Sequence, residues 1–196
     1  MDIDIHIAKF IAIVLCFLMA ATCREHALGK KDSSFLVAAL ACTLVADFFL
    51  VILLIYPVGL VFFCIAQILY VVRFGGLRAL RFAALTAILP VVYLAVNRDL
   101  LVTLAIGYAQ LFLLSYGSGI RAVVKGVYPK TNSILIVTGL TLFVLCDISV
   151  AIWNLWRMGI TENREFANLA NSAIWLFYAP SQVCLALSGR KFGETR

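Results

Sequence analysis

Apolar residues run along this chain in long unbroken blocks separated by short gaps where the charges, prolines, glycines and asparagines collect. Cutting at those gaps leaves seven blocks, residues 3–22, 34–55, 57–74, 79–96, 99–118, 133–153 and 168–188. Each is close to the roughly 20 residues a helix needs to cross about 30 Å of hydrocarbon. Lipid offers no partner to a backbone N–H or C=O, so the blocks predict helices and exclude open sheet. The second and third blocks meet almost without a loop at Tyr56-Pro57, and proline suits a helix start because its missing N–H would be unpaired there anyway. Gly117 and Gly119 predict the end of the fifth helix. The expected architecture is an all-α integral membrane protein, one bundle spanning residues 1–196.

Composition supports the same picture. The 196 residues are 64% hydrophobic and 13% charged, with mean hydropathy +1.04, against roughly 45 to 50% apolar and 25% charged for soluble domains. A soluble globular protein is excluded. The net charge of +6 raises the question of nucleic acid, but there is no basic run or interleaved Arg and aromatic patch to follow a phosphate backbone. The excess sorts by side instead. Arg24, Lys30, Lys31, Arg73, Arg78, Arg81, Arg121, Lys125, Lys130, Arg190, Lys191 and Arg196 fall in alternate gaps and the C-terminal tail, leaving only Lys9, Arg98, Arg157 and Arg164 for the other side. Under the positive-inside rule this twelve-to-four split places the N-terminus outside and the C-terminus in the cytoplasm of a multi-pass cell-membrane protein. Asp2 and Asp4 in place of a basic leader, with a long apolar stretch behind them, predict that residues 3–22 are a retained first helix and not a cleaved signal.

Six single cysteines, Cys16, Cys23, Cys42, Cys64, Cys146 and Cys184, form no C-x-x-C pair and read as small apolar fillers. The only histidines, His6 and His26, lie near block ends, so no metal site or histidine-based triad is expected within the membrane. Asp47 and Asp147 are the only carboxylates deep inside apolar blocks, where an ionisable group is costly enough to suggest function. Asp47 lies 13 residues past Ser34 and Asp147 lies 14 past Ser133, a rise of roughly 20 Å in each helix, so the two acids are expected at one depth. Polar positions also recur at helical spacing: Asn168, Asn171, Trp175, Tyr178 and Gln182; Thr86, Pro90, Tyr93 and Asn97; and Cys64, Gln67, Tyr70 and Arg73. Each set lies on one helix face, and with lipid outside such faces turn inward, to line a polar cavity or to join helices.

The segment VADFFLVILLIYPVGLVFFCIAQILYVVRF (45–74) resembles the signature of the lysoplasmalogenase-like membrane proteins, the YhhN family. The family's small-Asp step, Gly-Leu pair and tyrosine correspond to Asp47, Gly59-Leu60 and Tyr70. A second signature resembles GLTLFVLCD (139–147), with Asp147 at the acid position, and a Tyr followed four residues later by Gln resembles Tyr178 and Gln182. The likeness covers roughly residues 37–188. The chain departs from the pattern at Gln67, where the family has histidine, at Ala46 and Cys146 before the acids, and at Pro180 within the last motif. The family usually has eight helices and a Lys-Pro step after the first; here Lys30-Lys31 stands near that place, and the expected bundle holds seven or eight.

The resemblance implies hydrolysis of the vinyl ether bond of a lysoplasmalogen, a single-chain lysophospholipid, to a fatty aldehyde and a glycerophospho head group. Acid hydrolysis of a vinyl ether begins with protonation of carbon and leaves an oxocarbenium-like cation that water captures. That chemistry asks for a proton donor in a water-poor site beside a group that steadies positive charge, as in glycosidases with two carboxylates. Asp47 and Asp147 are the candidate catalytic pair, one donating the proton and the other, ionised, steadying the cation and activating water. Gln67, Tyr70, Tyr93, Tyr178 and Gln182 are the candidate substrate-binding residues, and no cofactor is required. Two other readings stay open: a small-solute or proton-coupled transporter on a three-plus-one-plus-three plan, and a non-catalytic lipid-binding relative.

Overall fold

A computed structural model describes the backbone of residues 3–22 and 26–192, with side chains from residue 10 onward. Asp2, Cys23, Arg24 and Arg196, and the side chains of Asp4, His6 and Lys9, lie outside the described residues. The chain is helical almost throughout: α1 Ile3–Thr22, α2 Lys30–Asp47 with a π-helical turn Phe48–Ile52 added to its end, α3 Tyr56–Gly75, α4 Leu80–Leu85, α5 Ile88–Asn97, α6 Leu100–Val124, α7 Lys130–Arg157 and α8 Arg164–Leu187. Local sequence sets several of these ends. Pro57 opens α3, the Asp99 carboxylate accepts from the Val102 amide at 3.1 Å to cap α6, and the Asn163 side chain accepts from the Phe166 amide at 3.0 Å to cap α8.

Among the described residues, five segments are long and apolar enough to cross a membrane, Lys30–Ile52, Tyr56–Gly75, Leu77–Asn97, Leu100–Val124 and Lys130–Arg157, and Phe10–Thr22 is a shorter apolar helix. The 24-residue α8 carries a polar face that holds it outside that group. Two boundary expectations are corrected. α6 continues past Gly117 and Gly119 to Val124, because Gly119 is a packing position: a Cβ there would lie 2.5 Å from Leu140 and 3.4 Å from Phe74. The block 79–96 divides into α4 and α5 around Thr86 and Ala87. Pro90 has no N–H to offer the Thr86 carbonyl, and its ring crowds that carbonyl, so the helix breaks four residues upstream.

The interior is built by α2, α3, α6, α7 and α8, with Ile13, Cys16 and Ala20 of α1 buried against them. The register of neighbouring helices is fixed by close approaches at both ends. Gly59 of α3 sits against Ala46 and Leu50, while Arg73 at the other end of α3 reaches Asp32 in the first turn of α2. Tyr178 of α8 reaches Asp47, and Gly189 just past α8 meets Leu36. Gly139 lets α7 approach α8 so closely that an added Cβ would lie 2.9 Å from Leu185 Cγ and 3.1 Å from Cys184 Cβ. Both neighbours are anchored near their own backbones and cannot swing aside. Gly139→Ala should therefore destabilise the bundle by about 1 to 3 kcal/mol, the range for overpacking, read as a lower unfolding midpoint in detergent. An unchanged midpoint would mean that α7 and α8 slide apart at no cost.

Candidate functional site

Asp47 is the last residue of α2 and the step into the π-helical turn. Such turns are uncommon and favour functional positions. The connection that follows is short, and Leu54 adopts φ 57° there, a conformation with a real cost for a residue bearing a Cβ. The Asp47 carboxylate is 4% exposed. Its Oδ2 accepts a hydrogen bond of 2.5 Å from the Tyr178 hydroxyl of α8. Asp147 of α7 is half-buried, and its Oδ2 accepts from the Tyr108 hydroxyl of α6 at 2.7 Å. Asp47 and Asp147 each lie 17 positions past the first residue of their helix, Lys30 and Lys130, and pairing of α2 and α7 with α8 keeps them level.

The acids do not hydrogen-bond each other; the site consists of two carboxyl–phenol pairs. What joins them is Cys146, buried and within electrostatic reach of both carboxylates, and a set of rings. Phe143 stands 5.7 Å from Tyr178, 5.1 Å from Phe112 and 6.4 Å from Phe63, and Phe63 stands 5.6 Å from Tyr108. An enclosure of ring faces excludes water, and those faces carry negative charge density that attracts a cation. The two pairs are thus linked through one packed cluster of rings, Tyr178, Phe143, Phe63 and Tyr108, with the Cys146 thiol buried nearby.

One turn from Asp47 toward the Lys30 end the interior stays polar. Thr43 on α2 and Gln182 on α8 occupy this level, each fully buried. Gln67 and Tyr70 on α3 follow, also fully buried, and Ser115 of α6 donates to Gln67 Oε1 at 2.6 Å. Of the substrate-binding candidates, Tyr178 meets an acid directly, and Gln67, Tyr70 and Gln182 occupy the same interior. Tyr93 does not join them. It is half-buried on α5, which packs chiefly on α6, and of its stripe Thr86 and Pro90 line a cavity of 220 Å³ between α3, α4–α5 and α6. In the stripe of the last helix, Asn168 is exposed while Trp175 packs on Tyr178 at 5.4 Å. Tyr108 escaped the sequence reading, although Tyr108, Phe112, Ser115 and Gly119 follow offsets of 4, 3 and 4 and mark the inner face of α6.

Among the described residues no group of three or more His, Cys, Asp or Glu is placed to hold a metal ion. The cysteines from Cys16 to Cys184 that are described are free. No curated protein and no solved structure matches this chain. Residues 5–189 match the sequence profile of the YhhN family, nearly the whole length and with both acid-bearing segments inside the match, and the chain belongs to that family.

Proposed function

We propose that this protein is a membrane hydrolase of the lysoplasmalogenase kind, cleaving the vinyl ether bond of a single-chain ether lysophospholipid. The observation that carries the reading is the pair of level carboxylates, each held by a phenol and both phenols packed into one cluster of rings. Protonating the alkene carbon creates an oxocarbenium-like cation. One of Asp47 and Asp147 donates that proton; the other, ionised, stabilises the cation and draws a proton from the water that attacks it. Carbon–oxygen cleavage of the resulting hemiacetal then releases the aldehyde and returns a hydroxyl to the glycerol. Tyr178 and Tyr108 hold the carboxyl groups in place, and the rings of Phe143 and Phe63 exclude stray water while favouring positive charge. A positioned acid of this kind contributes about 10² to 10⁴ in rate.

Gln67, Tyr70 and Gln182 serve the water and the glycerol hydroxyls in this reading, and Tyr93 lies too far out to take part. Cationic residues near the helix ends, ten toward the Lys30 end (Lys30, Lys31, Arg73, Arg78, Arg81, Arg121, Lys125, Lys130, Arg190, Lys191) against Arg98, Arg157 and Arg164 at the other, support a cytoplasmic Lys30 end. The acids then open toward the outer half of the bilayer. The test is fatty aldehyde release from a lysoplasmenyl lipid by purified protein in detergent. Stoichiometric aldehyde supports the hydrolase. Solute flux into proteoliposomes with no covalent change, and no aldehyde, would replace it with the carrier.

A further inference from the structure

The polar groups behind the acid site are left in an unusual condition. Thr43 Oγ1, Gln67 Nε2, Tyr70 Oη and Gln182 Oε1 are all buried, and none has a hydrogen-bond partner among the described residues; Gln110 Oε1 and Asn132 Oδ1 are in the same condition elsewhere. A buried polar group without a partner costs on the order of 1 to 3 kcal/mol, and ordered water is a common reason that one persists. The first four lie together. The contacts that set the register put Thr43 and Gln182 on one level, a turn below the Asp47 and Tyr178 pair, and put Gln67 and Tyr70 on α3 between that level and Arg73.

Below Tyr70 the polar interior is completed by charge. Arg73 donates through Nε and Nη2 to the two Asp32 oxygens, both at 3.0 Å, and through Nη1 to Ser188 Oγ at 3.0 Å, while Tyr128 donates to Asp32 at 2.6 Å. A cleft of 540 Å³, lined by Lys30, Lys31, Phe35, Val72 and Gly76 among others, opens beside this cluster. Along α3, Gln67, Tyr70 and Arg73 are spaced by about 4.5 Å, and Thr43 stands about 6 Å from Asp47 along α2. A water that bonds to two groups at about 2.8 Å each bridges a gap of about 5.5 Å. Successive polar positions thus rise by about the gap that a single water bridges, and buried waters sit where polar groups lack protein partners.

We propose that Thr43, Gln67, Tyr70 and Gln182 hold a file of ordered waters running from the Asp47 and Tyr178 pair to the Arg73 and Asp32 cluster, and that this file supplies water and carries protons between the acid site and the Lys30 end. The ligand of the site is water, held by an amide, a phenol, a hydroxyl and a second amide on three helices. The file gives a hydrolase a source of its second substrate on the side away from the lipid. It stands on the unpartnered groups alone, and its test uses no lipid substrate, so it survives or fails separately from the reaction proposed above.

Hydroxyl radicals made by a synchrotron pulse label side chains that touch water, bulk or buried, and mass spectrometry reads each site. In the detergent-solubilised protein, Tyr70, 0% exposed, should be oxidised at least tenfold faster than Phe143, 1% exposed and enclosed by rings. Gln67→Leu should cut Tyr70 labelling at least fivefold while half-exposed Tyr93 keeps its own, which also reports an intact fold. Should Gln67→Leu fail to fold, Thr43→Val breaks the file one step higher, and Tyr178 labelling should fall in the same way. A Tyr70 that stays unlabelled in the wild type while Tyr93 reacts overturns the proposal, as does labelling of Tyr70 and Tyr178 that neither variant changes.

Discussion

Asp47→Asn and Asp147→Asn should each lower aldehyde release on the order of a thousandfold, within the 10² to 10⁴ that a positioned proton donor or acceptor supplies. Asparagine keeps the size and one acceptor oxygen, so Tyr178 and Tyr108 still have a partner and the fold is retained. It can neither donate a carboxyl proton nor carry the negative charge that steadies the cation. The double variant should be little worse than either single one, because the two groups serve one step and their losses do not add. Tyr178→Phe and Tyr108→Phe give the graded comparison. Losing a phenol that only positions its acid should cost about ten- to a hundredfold, since a small misplacement of a catalytic group is felt at that scale. Full activity in either asparagine variant would remove that acid from the chemistry. Equal, complete loss in the phenylalanine variants with unchanged melting would instead make the phenols the proton donors.

Much of this site was legible before any coordinates because intramembrane polarity is so costly. Asp47, Asp147, Gln67, Tyr70, Tyr178 and Gln182 stand out within apolar blocks, and the interior is where the physics of lipid drives them. The family resemblance put the same residues in motifs. What the pattern could not give was partnership. Two acids at one depth pointed to a pair, and the pattern left unnamed the tyrosine on a neighbouring helix that donates to each. Tyr108 is legible only as part of the inner stripe of α6. Tyr93 stands apart from the other candidates for a local reason: Pro90 splits its block, and the α4–α5 segment then lies along the outside of α3 and α6. The orientation count and the inner stripe of α3 both include one further residue, the most connected of the charges, but neither names its partner Asp32.

Arg73 is that residue, and its loss should give the largest effect on stability. Its side chain is 0% exposed and that of Asp32 17%, which separates this pair from surface salt bridges worth about 0 to 1 kcal/mol. Three segments meet on the guanidinium and its carboxylate: the first turn of α2, the end of α3 and the end of α8, with Tyr128 from the α6–α7 connection as a fourth. Burial pushes the Tyr128 phenol up, so its hydroxyl stays protonated and goes on donating to Asp32 across the whole working pH range. Arg73→Leu leaves the Asp32 carboxylate enclosed with no cation, and removing one member of a buried pair costs about 3 to 5 kcal/mol. The unfolding midpoint in detergent should fall by roughly 10 °C for a chain of this length. Asp32→Leu should be as damaging, since it strands the guanidinium, while Arg73→Leu with Asp32→Leu should recover at least half of the loss because no charge is left unpaired. A midpoint that moves by less than about 2 °C in both single variants would show that α2, α3 and α8 are held by their apolar contacts and that the charge cluster joins nothing.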